Sequence, residues 1–198
     1  MSRRIPQVLT AAEQRRLLAR FDPNDFYELR NLCLVRLMLN AGLRASEALG
    51  VKVQDLNWQT GKLRVRGKGK KERIVWIRMK RKKGRNNGLA DGEVLRLWRD
   101  RFWQDLPVED LLFPTRQGRS LSDRYLRKVV KEAGLKAGIA TEVHPHLLRH
   151  TFATDLLRKT RNLRLTQKAL GHSQITSTQI YTHIVDDELE EALKTLRD

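Results

Sequence analysis

The stretch Leu63-Arg-Val-Arg-Gly-Lys-Gly-Lys-Lys-Glu-Arg-Ile-Val-Trp-Ile77 joins two short, apolar-containing segments through a basic turn with two glycines. Alternation of apolar and polar residues is typical of half-buried strands, and glycine in the connection allows the chain to reverse tightly. We therefore predict an antiparallel hairpin with strands at 63–66 and 74–77. An alternating stretch at 51–58 and a turn at 59–61 precede it.

Helices are predicted on both sides of this hairpin. Thr10 and Glu13 form a capping-box pattern, which marks the start of a first helix. A second helix is expected at 25–41, with Gly42 as its left-handed C-terminal cap. Further helices are expected at 44–49, 92–104, 122–136, 146–158, 163–170 and 187–196. The fold class is therefore α+β: mostly helical, with one small antiparallel sheet.

The composition favours a polyanionic partner. The 198 residues include 40 Lys and Arg but only 23 Asp and Glu, which gives a formal charge of +17. The single cysteine, Cys33, excludes an internal disulfide and a Cys-rich zinc site, and it fits a reducing cytoplasm. No run of 18 apolar residues is present, so neither secretion nor a membrane partner is predicted.

Residue types suited to phosphoryl transfer lie in four separate segments: Ala41-Gly-Leu-Arg-Ala-Ser-Glu47, Gly67-Lys-Gly-Lys-Lys71, His144-Pro-His-Leu-Leu-Arg-His150, and Leu170-Gly-His-Ser173 followed by Ile180-Tyr-Thr-His183. Arginine forks bind phosphate oxygens, imidazole and ammonium groups move protons, and a tyrosine can act as the nucleophile. The chain has neither a P-loop nor an H-E-x-x-H metal motif, so no cofactor and no metal are expected. His144, His150 and His183 are interpreted as structural or surface residues.

These segments resemble the tyrosine recombinases, or phage-type integrases, and most closely their Xer-like and integron-like branch. The family pattern G-L-R-x-S-E, G-K-G-x-K, H-x-L-R-H, L-G-H and Y-T-H occurs here in order, across nearly the whole chain. The resemblance implies a mostly helical recombinase catalytic domain. It also implies an enzyme that cleaves and rejoins double-stranded DNA at specific sites, through a Holliday junction and without metal or ATP.

The resemblance implies a catalytic set of six residues: Arg44, Lys68, His146, Arg149, His172 and Tyr181. In this interpretation the two arginines hold the scissile phosphate, and the tyrosine attacks it to form a 3′-phosphotyrosine. The lysine protonates the leaving 5′-oxygen, the first histidine assists proton transfer and the second hydrogen-bonds the phosphate. Glu47, one helical turn beyond Arg44, is expected to brace that arginine.

Other basic residues are candidates for DNA contacts in the hairpin, in the loop 78–88 and in the helix 122–136: Lys70, Lys71, Arg73, Arg81, Lys82, Lys83, Arg124, Arg127 and Lys128. The chain departs from the family at two places. Trp76 stands where members usually have proline, and the loop 78–88 is longer and more basic than usual.

We expect residues 1–198 to form one catalytic domain without the N-terminal clamp domain that most members carry. A C-terminal helix at 187–197 has an apolar stripe that packs either on its own core or, as the resemblance implies, on a neighbouring subunit of a dimer or tetramer on DNA. Two alternatives stay open: a DNA-binding regulator that does not cut, and a type IB topoisomerase-like enzyme that relaxes supercoils. The expected location is the cytoplasm of a prokaryote, at the nucleoid.

Overall fold

The computed structural model describes residues 7–67, 72–80, 89–103 and 111–171. The elements in these ranges are, in chain order, α1 (Ala11–Leu18), α2 (Phe26–Ala41), α3 (Ala45–Leu49), β1 (Lys62–Arg66), β2 (Glu72–Trp76), α4 (Asp91–Trp98), α5 (Asp123–Lys136), α6 (Pro145–Thr160) and α7 (Leu163–Leu170). The predicted α+β class, mostly helical with a small antiparallel sheet, is confirmed.

Helix α2 lies at the centre of the core. It packs against both α4 and α6, and it is buried around nearly its whole circumference, as expected of a helix that is apolar on all sides. Leu29, Leu34 and Val35 are fully buried on it, and Leu148 of α6 is buried equally well. The first turns of α6 are therefore held rigidly against the centre of the protein.

Local sequence signals set the helix ends as predicted. Thr10 and Glu13 form the capping box of α1, and Asp25 accepts hydrogen bonds from two backbone amides at the start of α2. Gly42 ends α2 with a φ of +67°, and Ser122 caps α5. Each of these contacts satisfies backbone groups that a helix end would otherwise leave without a partner.

The predicted hairpin is confirmed, and both of its strands begin earlier than expected. Strands β1 and β2 pair in antiparallel register, with Lys62 opposite Trp76 and Arg66 opposite Glu72. The connection at 68–71 lies outside the described residues. On β1 the burial alternates, with Leu63 and Val65 facing the core, so the period-two pattern identified this strand correctly.

Three segments differ from their sequence patterns. The alternating stretch 51–58 contains a 3₁₀ turn, Val53–Asp55, because the Asp55 carboxylate caps the backbone of Lys52 and binds Arg66. The helix expected at 92–104 changes to a π-helix at Arg99–Trp103, and α6 begins at Pro145, with His144 as its cap. The loop 81–88 and the helix at 187–197 lie outside the described residues. No described helix is long and apolar enough to cross a membrane.

Candidate active site

Arg44 lies at the junction between α2 and α3. The left-handed Gly42 turns the chain sharply, and a Cβ atom there would lie 2.4 Å from the ring of Phe152, so this turn requires glycine. Two residues later, Arg44 is the N-cap residue of α3. Its side chain is 44% exposed, so its guanidinium is accessible to a ligand.

The Glu47 carboxylate is the centre of the site. Its Oε2 accepts a hydrogen bond from the Arg44 backbone N–H at 2.8 Å, and its Oε1 accepts one from Arg44 Nη1 at 2.8 Å. Arg73 donates to both oxygens, each at 2.8 Å, and Arg149 Nη1 lies 3.6 Å from Oε2. One carboxylate therefore orders three guanidinium groups, and the predicted contact between Glu47 and Arg44 is present.

Glu47 is ionised despite its burial. Its side chain is only 2% exposed. Burial raises the pKa of Glu47, but the hydrogen bonds from Arg73 and from the Arg44 backbone and side chain outweigh this effect and lower the pKa to about 2. The negative charge is thus permanent at neutral pH, and it offsets part of the charge of the surrounding arginines.

Arg149 is held by two helix ends as well as by this carboxylate. Its Nη1 donates to the carbonyl oxygen of Gly42, where α2 ends, and its Nη2 donates to that of Leu170 at 2.6 Å, where α7 ends. The side chain is 5% exposed. A guanidinium fixed in this way loses little conformational freedom on binding an anion, which is the preorganisation that phosphoryl-transfer catalysis needs.

His146 lies in the first turn of α6, near the phosphate-binding candidates. Burial lowers its pKa, and electrostatic interactions with His144 and with the guanidinium groups of Arg149 and Arg44 lower it further. Its ring is parallel to that of His144, at 6.4 Å between centroids. His144 Nδ1 accepts the backbone N–H of Leu147 at 3.2 Å and so caps α6. This contact agrees with the interpretation of His144 as a structural residue. His146, with its lowered pKa, is a neutral imidazole suited to accepting a proton.

These residues surround one cleft of about 420 Å³. Arg44, His146 and Arg149 line it, together with the start of α5 and the first residues of α3 and α6. The N-terminal end of α6 adds a partial positive charge, which favours an anion there. The cleft is lined by three arginines, two histidines and the carboxylates Asp123 and Glu142. Arg44, Arg149, the imidazole of His146 and the helix N-terminus form a set suited to a phosphodiester.

The Arg73 guanidinium binds groups inside the protein, contrary to our expectation from the sequence. We expected a DNA contact, but its side chain is 11% exposed and its guanidinium faces Glu47. Its Nε also donates to the carbonyl oxygen of Ala169 at 3.0 Å. The sequence contains no direct signal for this, because Glu47 and Arg73 lie 26 positions apart and meet only in the folded chain.

The remaining predicted residues divide into two groups. On α5, Arg124, Arg127 and Lys128 are exposed, and Arg127 also lines the cleft. The others lie outside the described residues: Lys68, Lys70, Lys71, Arg81, Lys82, Lys83, His172 and Tyr181. Within the described ranges, no three His, Cys, Asp or Glu side chains are placed so that they could hold a metal ion.

The chain is similar to the members of one known protein family. The model of the Phage integrase family matches residues 7–188. Two similar sequences are both named tyrosine recombinase XerC: one from Thermodesulfovibrio yellowstonii, 35% identical over 93% of this chain, and one from Azotobacter vinelandii, 37% identical over 92%. The chain spans 60% and 57% of their respective lengths.

Two solved structures are similar over almost the whole chain. The XerH site-specific recombinase, bound to a palindromic difH substrate in a post-cleavage complex, is 30% identical with a TM-score of 0.78, over 98% of this chain and 54% of that one. The XerA recombinase is also 30% identical, with a TM-score of 0.76, over 100% of this chain and 67% of that one.

Proposed function

The chain belongs to the phage integrase family, that is, to the tyrosine recombinases, and on this premise we propose that it is a site-specific DNA recombinase that cleaves and rejoins duplex DNA through a 3′-phosphotyrosine. One observation carries the proposal: Arg44 and Arg149 meet at a single buried carboxylate beside a neutral His146, in a cleft open to a phosphate. A protein that only bound DNA would not need to fix two guanidinium groups in this way.

The proposed reaction balances without an external energy source. The Tyr181 oxygen bonds to the scissile phosphorus as the bond from phosphorus to the 5′-oxygen breaks. His146 accepts the phenolic proton, and Lys68 gives a proton to the departing oxygen. The products are a 3′-phosphotyrosine and a 5′-hydroxyl, so a 5′-hydroxyl from another strand can reverse the step and rejoin the DNA. Arg44 and Arg149 stabilise the charge that develops on the non-bridging oxygens.

Double-stranded DNA is the proposed partner. The XerH structures, 30% and 31% identical to this chain, hold a difH substrate, and one of the exposed cations on α5, Arg127, lines the cleft. If about six phosphates are neutralised, the logarithm of the binding constant should fall against the logarithm of salt concentration with a slope near −5. Such a substrate would place the protein at the nucleoid in the cytoplasm.

Assembly into dimers and tetramers on DNA is proposed through a groove of about 1050 Å³ next to the site. Trp76 and Leu165 line it and are 68% and 44% exposed. Lys168 supplies a positive charge, and Gly171 also lines the groove. The proposed occupant is the C-terminal helix 187–197 of a second copy, whose acidic residues at 186–188 complement that charge.

Strand exchange tests the proposed function. A supercoiled plasmid carrying two copies of the DNA that flanks the native gene is incubated with the protein in EDTA. Tyr181→Phe is the test variant, and Tyr27→Phe is the control because that tyrosine is 47% exposed at the start of α2. Recombinant circles that depend on Tyr181 alone support the proposal. Relaxed plasmid without recombinants would indicate a topoisomerase-like enzyme, and binding without breakage would indicate a regulator.

A further inference from the structure

Arg73 uses its whole guanidinium inside the protein. Nη1 and Nη2 bind the two oxygens of Glu47 in a fork, each at 2.8 Å, and Nε binds the Ala169 carbonyl oxygen at 3.0 Å. Arg149 is as deeply buried but lines the cleft, whereas Arg73 does not, so Arg73 is not placed to contact a phosphate bound there. A paired fork of this kind fixes both the distance and the orientation of the groups that it joins.

The fork joins three segments that are distant in sequence. Arg73 itself is on β2, next to the turn that contains Lys68. Glu47 is on α3 and orders the two phosphate-binding arginines. Ala169 is in the last turn of α7, three residues before His172. Arg73 is therefore placed where the hairpin, the arginine pair and the end of α7 meet.

Gly171 provides independent evidence that this contact is close. It has a φ of +65°, and a Cβ atom there would lie 2.8 Å from Arg73 Cδ. The glycine of the L-G-H segment thus meets two requirements at once: the left-handed end of α7 and space for the Arg73 side chain. The end of α7 is shaped around this arginine.

We propose that Arg73 is a positioning residue that fixes the hairpin carrying Lys68, and the helix end that precedes His172, against the carboxylate holding Arg44 and Arg149. This inference rests on the proposed function, because it takes Lys68 as the donor of the proton to the leaving group. Arg73 itself touches neither the phosphate nor the reacting oxygens. Its loss would misplace the proton donor and leave the affinity for DNA intact.

The leaving group offers a test specific to this role. A DNA strand with sulfur in place of the bridging 5′-oxygen leaves as a thiolate, whose conjugate acid has a pKa of about 8.5, against about 15 for an alkoxide, close to that of water. The bond from phosphorus to sulfur breaks without a proton from Lys68. A variant impaired only in placing Lys68 should therefore recover on this substrate, whereas a variant impaired in phosphate binding should not.

The variants are Arg73→Lys, which keeps the charge but not the fork, and Arg73→Gln. The matched control is Arg36→Gln: Arg36 is 14% exposed and binds Asp91 at 3.0 Å and a carbonyl oxygen at 2.8 Å, between α2 and α4. On ordinary DNA at saturation, both Arg73 variants should form the covalent adduct about 10- to 100-fold more slowly, with Kd within about twofold of wild type. The rate of adduct formation by the Arg36→Gln variant should stay within about threefold of wild type.

On the sulfur substrate, Lys68→Ala should come within about threefold of the wild-type rate and Arg149→Lys should stay slow. Arg73→Gln should regain most of the rate that it loses on ordinary DNA, and the remaining deficit should reflect the helix end that precedes His172. Three results would each overturn the proposal. The first is an unchanged rate of adduct formation on ordinary DNA. The second is the same unchanged rate with Kd weakened tenfold or more, which would make Arg73 a DNA contact. The third is no recovery of the rate on the sulfur substrate.

Hydrogen exchange tests the same inference without cleavage, so it separates a failure of positioning from a failure of the proposed function. Arg73→Gln should speed amide exchange in β2 and in the last turn of α7 together, and leave α5 unchanged. Faster exchange confined to β2 would show that the two segments are not held by this residue. A wild-type protein that forms no adduct would refute the proposed function while leaving this comparison valid.

Discussion

Replacing Glu47 with glutamine removes the charge at the centre of the site while keeping the shape of the side chain. The pKa of Glu47 is about 2 in the folded protein, against an ordinary 4.5. Since a pKa shift of one unit corresponds to about 1.4 kcal/mol, folding favours the ionised form by about 3 kcal/mol. Arg44 is 44% exposed, so water screens part of this energy, and we expect a loss of about 2 kcal/mol at pH 7.

The same argument fixes how the loss depends on pH. A carboxylate whose pKa is lowered by folding contributes its full stabilisation above about pH 4.5 and loses it as the pH falls towards 2. By pH 3 more than half of this stabilisation should be gone, because the unfolded chain binds a proton at this carboxyl below about pH 4.5 while the folded carboxylate is still mostly ionised. The difference between wild type and Glu47→Gln should therefore shrink by more than half between pH 7 and pH 3.

Urea denaturation at pH 7, 5 and 3 measures this difference. Glu132→Gln is the control, since Glu132 is 52% exposed and lies 3.7 Å from Lys128 on one face of α5. That pair should contribute no more than about 0.5 kcal/mol at any of these pH values. The reasoning is refuted if the Glu47→Gln difference at pH 7 is below about 1 kcal/mol, or if it stays constant from pH 7 to pH 3.

Other substitutions test the geometry separately. Arg149→Lys loses two hydrogen bonds to carbonyl oxygens and should slow adduct formation by about 10²- to 10³-fold in single-turnover assays; a loss below fivefold would contradict its role. Gly171→Ala should cost more stability than Gly138→Ala, because both have a positive φ but only Gly171 has a side chain within 4 Å; equal midpoints in urea would contradict this contact. His144→Ala should cost about 1 kcal/mol as a lost helix cap, whereas His146→Ala should mainly slow cleavage, and the opposite pattern would exchange their roles.

The sequence was sufficient to predict a helix end wherever the signal for it lies within a few residues. The capping box at Thr10, the left-handed cap at Gly42 and the cap at Ser122 all depend on neighbours within a few residues, and the structure confirms them. The alternating stretch 51–58 contains a 3₁₀ turn for a similarly local reason. The Asp55 carboxylate accepts a hydrogen bond from the Lys52 backbone N–H and binds Arg66, which favours a turn.

The sequence predicted which residues form the site, but it predicted fewer of the contacts between them. The resemblance to the tyrosine recombinases implied Arg44, His146 and Arg149 as site residues, and the structure brings them to one cleft. The sequence could not show that Arg73 binds Glu47, because that pairing depends on how the hairpin packs against α3. Nor could it show that backbone carbonyl oxygens hold Arg149, since every residue carries a carbonyl and only the fold selects which ones face inward.

Covalent trapping tests the central claim most directly. The protein and its Tyr181→Phe variant are incubated in EDTA with duplex DNA from the native flanking region, and the reaction is stopped with SDS. The account predicts a protein-linked strand that forms only with Tyr181 present, survives EDTA, carries the protein on its 3′-phosphate and releases a free 5′-hydroxyl. An adduct that still forms with Tyr181→Phe, that joins the 5′-phosphate, or that is absent when binding is intact would contradict it.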